Sequence, residues 1–189
     1  MELIILDRDG VICRFRPGDY AKTWEEFEFL PGSIQALQKL SAAGFTLTIA
    51  SNQAGVGKGI YSGQALQDIT QRMLKVLASH QVKIAAVYYC VHTDENNCDC
   101  RKPKPGMLLR ALQEFEVKDP ARVFFIGDAA TDVQAGRNAG VRTILVLSGK
   151  TGSATEVTTW PVQPDFIASD LSEAAEIITA QTRPDHGKV

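Results

Sequence analysis

Residues 3–10 read Leu-Ile-Ile-Leu-Asp-Arg-Asp-Gly. Four apolar residues of β type run straight into two carboxylates spaced i, i+2, and then a glycine. An apolar run this short, bounded by turn residues, predicts a buried strand. Charge at its tip needs a partner or a task, because a buried unpaired carboxylate is costly. Alternate residues of an extended segment share a face, so Asp7 and Asp9 can address one small object. Gly10 lets the backbone turn away behind them. A divalent cation beside a phosphate is such an object.

Working outward, the same strand-then-polar-loop pattern recurs. Strands are expected at 2–7, 45–50, 84–91, 123–126 and 142–147, with a short sixth at 165–168. Between them lie helix-period segments: 33–43, one capped by Ser62, one from Pro105 to about Phe115, 131–140 and 171–179. Strands alternating with helices predict an α/β fold, a mostly parallel sheet in a three-layer sandwich. Ligands of such sheets belong at the carboxyl ends of the strands. No linker divides the chain, so residues 1–182 are expected as a single domain and 183–189 as a solvated tail. No segment is long enough for a separate cap domain.

Composition narrows the function classes. With 189 residues, 44% of them hydrophobic and 22% charged, the chain is an ordinary globular one. A formal charge of −2 gives no sign of a nucleic-acid or membrane surface. No stretch approaches the roughly 18 apolar residues of a membrane span. The short apolar start lacks a signal-peptide design, so a cytoplasmic monomer with a small-molecule substrate is the expectation. Three of the four cysteines fall within residues 90–100, which in a reducing compartment favours metal over disulfide.

Polar motifs follow each of the first four strands: Asp7 and Asp9, then Ser51-Asn52, then Lys102 in Arg-Lys-Pro-Lys-Pro, then Asp128 with Asp132 four residues on. In this order they resemble the four motifs of the haloacid dehalogenase (HAD) superfamily phosphatases. The resemblance runs from residue 3 to about 150 and implies a Rossmann-like sheet of order 5-4-1-2-3. It implies Asp7 as a carboxylate nucleophile and Asp9 as general acid and then base. Ser51, Asn52 and Lys102 would hold the phosphoryl oxygens. Mg²⁺ would sit on Asp7, the Asp9 carbonyl and Asp128, with Asp132 orienting a metal water or Lys102.

A second signal is Cys90-Val-His92 followed by Cys98-Asp-Cys100, a donor set suited to structural Zn²⁺. A loop closed on zinc just before Arg101-Lys102 would fix Lys102 near the phosphate. The loop narrows the resemblance to two groups within the superfamily, heptose 1,7-bisphosphate 7-phosphatases and histidinol-phosphate phosphatases. Residues 26–32, 51–57, 101–107 and 148–151 resemble the heptose group. Substrate recognition is then expected from Arg101, Gln53, Ala54, Arg14, Arg16 and Tyr20. The chain departs from that group's pattern at Val11, Cys13, Val91, Thr93 and Ala129, several of which border the specificity loop. Histidinol phosphate stays open as a substrate, and a non-catalytic phospholigand-binding module is the competing class.

Overall fold

A computed structural model describes residues 2–182; the tail expected at 183–189 lies outside the described residues. The strands are β1 (Leu3–Leu6), β2 (Thr46–Asn52), β3 (Ile84–Cys90), β4 (Phe124–Gly127), β5 (Arg142–Val146) and β6 (Phe166–Ala168). Every pairing among them is parallel, in the order β3-β2-β1-β4-β5-β6. The order expected for five strands is therefore present, with β6 added at the far edge.

The sheet forms because β1 is apolar on both sides. Ile4 and Leu6 face one layer, where they meet Leu37 and Leu40 of α1 (Ser33–Ala42). Beyond α2 (Ala54–Gly57), helix α3 (Gly63–Ser79) adds Ile69 and Met73 to that layer. Leu3 and Ile5 face the other layer, with Met107 and Leu108 of α4 (Gly106–Glu114) and Ala135 of α5 (Ala130–Ala139). Each of these Leu, Ile and Met side chains, when fully buried, contributes about 1.5–3 kcal/mol. After α6 (Ala154–Val157), helix α7 (Leu171–Gln181) packs on α1 through Ala174 and Ile178. Ser62 caps α3, its hydroxyl accepting the Ala65 N–H at 3.1 Å. The one-turn helices α2 and α6 were not expected; four residues are too few to show a period. Among the described residues no helix is long and apolar enough to cross a membrane.

From β1 the chain winds outward to β2 and β3, then returns to β4 on the other side. That reversal opens a crevice at the carboxyl ends of β1 and β4, the usual ligand position in such sheets. The β1–β4 ladder continues into it, since the Asp7 N–H donates to the Ile126 carbonyl at 2.8 Å.

Candidate active site

Asp7 follows β1 and Asp128 follows β4, so adjacent strands deliver both carboxylates to the crevice. Lys102 reaches them from the loop after β3. Its Nζ lies 2.9 Å from Asp7 Oδ2 and 2.7 Å from Asp132 Oδ1, and donates to the Ala50 carbonyl at 3.0 Å. Asn52 holds the Lys102 main chain at both polar atoms, each at 3.1 Å. The Asn52 side chain is thus engaged in placing the lysine, while the residue itself borders the cavity. Asp132 Oδ2 accepts the N–H groups of Asp128 and Ala129 at 3.1 and 3.0 Å, closing the first turn of α5. Ser51, 1% exposed, places its hydroxyl against Asp7 and accepts from Gln53 Nε2 at 3.2 Å.

Close backbone approach makes this convergence possible. Gly10 has φ +83, and a Cβ there would come within 2.0 Å of Asp128 Oδ2. A Cβ on Gly149 would meet the same oxygen at 2.0 Å. Ser148 donates to the Gly10 carbonyl at 2.8 Å, and the Lys150 N–H donates to Asp128 Oδ2 at 2.6 Å. The 148–150 turn is therefore pinned against the site floor.

Three carboxylates crowd one ammonium here, and the titration of Asp7 and Asp128 reflects it. Burial pushes Asp7 up to about 6; Lys102 opposes this and Asp132 adds to it. Burial, then Asp132 and Asp7, push Asp128 up to about 8. Burial alone would depress Lys102, but Asp132 and Asp7 outweigh it and hold the ammonium well above the usual lysine range. Oxygens of Asp7, Asp128 and Asp132 lie within 4.8 Å of one another. A cluster of hard oxygen donors with excess negative charge fits a divalent cation such as Mg²⁺.

The raised carboxylates bind protons more tightly in the folded chain than in the unfolded one. Without a cation, the stability they contribute is complete below the ordinary 3.8 and is lost as pH rises through about 6 and about 8. Added Mg²⁺ is accordingly expected to raise the thermal midpoint more at pH 8 than at pH 6. Equal increments in paired melting scans would contradict this.

Asp9 stands apart from that cluster. Its carboxylate is gripped by Arg8 and by Gln53, whose Nε2 donates at 2.7 Å. Both Asp7 and Asp9 line a cavity of about 400 Å³, as do Ser51, Asn52, Lys102 and Asp128. Arg16, Tyr20, Ala54 and Arg101 form part of its wall. Two expected recognition residues are absent from that wall. Arg14 points into solvent on Glu28, 2.7 Å away, and Gln53 is wholly buried behind Asp9. The sequence reading passed over Arg8, Tyr61, Asp94 and Lys150. For Lys150 the 148–151 resemblance was the available signal; Arg8 looked like an ordinary charged neighbour of two acids.

The second cluster also forms. Cys90 Sγ lies 3.6 Å from Cys98 Sγ and 3.0 Å from Cys100 Sγ, with Cys98 and Cys100 3.4 Å apart. His92 Nδ1 is 3.2 Å from Cys100 Sγ and 3.8 Å from Cys90 Sγ. These separations approach the roughly 3.8 Å edge of a zinc–thiolate tetrahedron. Three soft sulfurs and an imidazole, from the end of β3 and the loop after it, are a fitting zinc donor set.

The sheet order, with acids at two adjacent strand tips around one buried lysine, defines a HAD-like hydrolase. A HAD-hydrolase-like family model matches residues 99–174. The chain belongs to the D-glycero-D-manno-heptose-1,7-bisphosphate 7-phosphatase family within that class, and it is a phosphatase. It is 41% identical over 150 residues to the D-glycero-beta-D-manno-heptose-1,7-bisphosphate 7-phosphatase of Pseudomonas putida, covering 79% of this chain and 85% of the relative. It is 39% identical over 145 residues to a Campylobacter jejuni phosphatase named for the alpha anomer, covering 77% and 81%. The solved D,D-heptose 1,7-bisphosphate phosphatase of Bordetella bronchiseptica, complexed with magnesium and phosphate, superposes with a TM-score of 0.90. It shares 34% identity over 96% of this chain and 100% of that one.

Proposed function

We propose that this chain removes the 7-phosphate of D-glycero-D-manno-heptose 1,7-bisphosphate by phosphoryl transfer to Asp7. The observation that carries the chemistry is the pairing of Asp7 with Lys102 at 2.9 Å while Asp9 is held on separate partners. A nucleophile and a proton donor need that separation of environments. An Asp7 oxygen attacks phosphorus as the ester P–O bond breaks, and the Asp9 proton passes to the departing oxygen. Asp9 then takes a proton from the water that attacks the aspartyl-phosphate, releasing phosphate and the Asp7 carboxylate. Lys102 and Ser51 offset charge on the phosphoryl oxygens. Asp7, Asp128 and the Asp9 carbonyl would hold Mg²⁺, which when bound supplies further charge neutralisation there, and Asp132 orients Lys102.

Charge on the cavity wall supports a bisphosphate. Away from the Asp7–Asp128–Asp132 cluster, the acids Asp19 and Asp94 are each paired, Asp19 with Lys22 at 2.7 Å and Asp94 with Arg101 at 2.5 Å. Arg16 rests on the Glu26 carbonyl, and among the described residues neither it nor Lys150 has a carboxylate within 4.0 Å. Two cations not closed into a salt bridge suit a second phosphate better than the ammonium of histidinol phosphate. The names carried by the relatives support the same choice. The test is kcat/KM on both heptose 1,7-bisphosphate anomers against histidinol phosphate. A large preference for histidinol phosphate would overturn the assignment.

Cys90, His92, Cys98 and Cys100 are proposed to hold a structural Zn²⁺ that anchors the loop carrying Arg101 and Lys102. Protein purified without chelators is expected to contain stoichiometric zinc. Removing it with a zinc-selective chelator in excess Mg²⁺ should lower the thermal midpoint and kcat together. Full activity in zinc-free protein would refute the anchoring role.

A further inference from the structure

The middle residue of Asp7-Arg8-Asp9 is the least expected occupant of the site. Arg8 has a side chain only 1% exposed, although it follows a strand tip that opens on solvent. Its fork covers both oxygens of Asp9, Nε to Oδ2 and Nη2 to Oδ1, each at 3.1 Å. Nη2 also donates to Gln53 Oε1 at 2.9 Å. Tyr61 donates its hydroxyl to the same Oε1 at 2.6 Å. With two donors on Oε1, the amide of Gln53 can present only its NH₂ to Asp9, at 2.7 Å. Burial pushes the Tyr61 phenol up to about 12, so it remains a donor throughout the working range. Tyr89 of β3 supports the guanidinium from below, its ring centroid 5.7 Å away.

We infer that Arg8, Gln53 and Tyr61 are positioning residues that set the Asp9 carboxylate for proton exchange with the leaving-group oxygen. This rests on the reading of Asp9 as the acid and base of the reaction. A buried ion pair is a poor source of stability, because the desolvation of both charges offsets their attraction. This one has a direction, however. Arg8 is closed off, whereas the Asp9 side chain is 24% exposed and lines the catalytic cavity. The clamp holds the carboxylate from behind, with the Cys13 thiol also 3.6 Å from Oδ1, and the exposed part of the group borders the cavity. Orientation of this kind matters only where a proton moves. Its value should grow with the basicity of the departing oxygen and vanish for a leaving group that needs no proton.

The test measures kcat/KM in excess Mg²⁺ for heptose 1,7-bisphosphate and for 2,4-dinitrophenyl phosphate. This parameter reports steps through the first irreversible one, formation of the aspartyl-phosphate. Asp9→Asn serves as the reference, with an expected loss of about 10³-fold on the sugar phosphate and under about tenfold on the aryl ester. Arg8→Met should lose about 10²-fold on the sugar phosphate and Gln53→Met about tenfold, each with less than about threefold on the aryl ester. If Arg8→Met does not fold, Gln53→Met and Tyr61→Phe decide by the same selectivity. Equal losses on both substrates would show a merely structural role and overturn the inference. A reference variant with no selectivity would instead remove Asp9 as the proton donor, and the clamp with it.

Discussion

Asp7→Asn is expected to lower kcat by about 10⁴-fold or more, equivalent to about 5.4 kcal/mol of transition-state stabilisation. The amide keeps the shape of the carboxylate and can still accept the Arg8 N–H, now 2.7 Å from Oδ1. It cannot attack phosphorus. The chain should fold normally, because Lys102 keeps Asp132 at 2.7 Å as its counter-ion. The ionised Asp7 is itself disfavoured by burial, its carboxyl being raised to about 6. Above that pH the cation-free variant should melt no lower than the parent. Steady-state kinetics beside melting curves separate the two effects. Substantial residual turnover would remove Asp7 as the nucleophile.

Lys102→Met should reduce kcat by about 10²–10³-fold, the usual loss on deleting one preorganised donor to developing negative charge. Its stability effect is opposite to that of Asp7→Asn. The ammonium is 1% exposed and contacts Asp7 and Asp132 together, so its removal leaves buried acids without a cation. Breaking a buried pair in this way typically costs about 3–5 kcal/mol. Lys102 is held above its ordinary value, so its contribution is complete throughout the neutral range. The loss should be larger near pH 8 than near pH 5, because Asp7, raised to about 6, is ionised at the first and protonated at the second. Methionine retains the packing over the Phe125 ring, whose centroid lies 5.3 Å from Nζ. A variant as stable as the parent at pH 8, with unchanged kcat, would contradict the charge balance drawn here.

Much of this was legible along the chain because the deciding signals are local. An apolar strand ending in a carboxylate can be read at Leu3–Asp7 and again at Phe124–Asp128, and parallel order then brings those tips together. The thiols of residues 90–100 announce themselves by clustering. What stayed hidden depends on contacts distant in sequence. Gln53 lies in a polar turn, and only the fold reveals that it is buried against Arg8, 45 residues earlier. Arg14 follows Cys13, which bridges antiparallel to Phe29; that pairing sets Arg14 beside Glu28 instead of over the cavity. Arg8 misleads for a physical reason. Arginine is rarely buried unless paired, and the residues that enclose it arrive from the turn after β2, from β3 and from the turn before α3.

Two separate duties for the paired acids have a direct chemical readout. With 2,4-dinitrophenyl phosphate and Mg²⁺, Asp9→Asn should form the phosphoenzyme without help from an acid but should lack the base that hydrolyses it. Rapid mixing is expected to release a burst of dinitrophenolate approaching one equivalent per chain. Borohydride reduction of the quenched protein should then convert residue 7 to homoserine, identified by peptide mass spectrometry. Steady release with no burst and an unmodified Asp7, or label on any other side chain, would contradict the account.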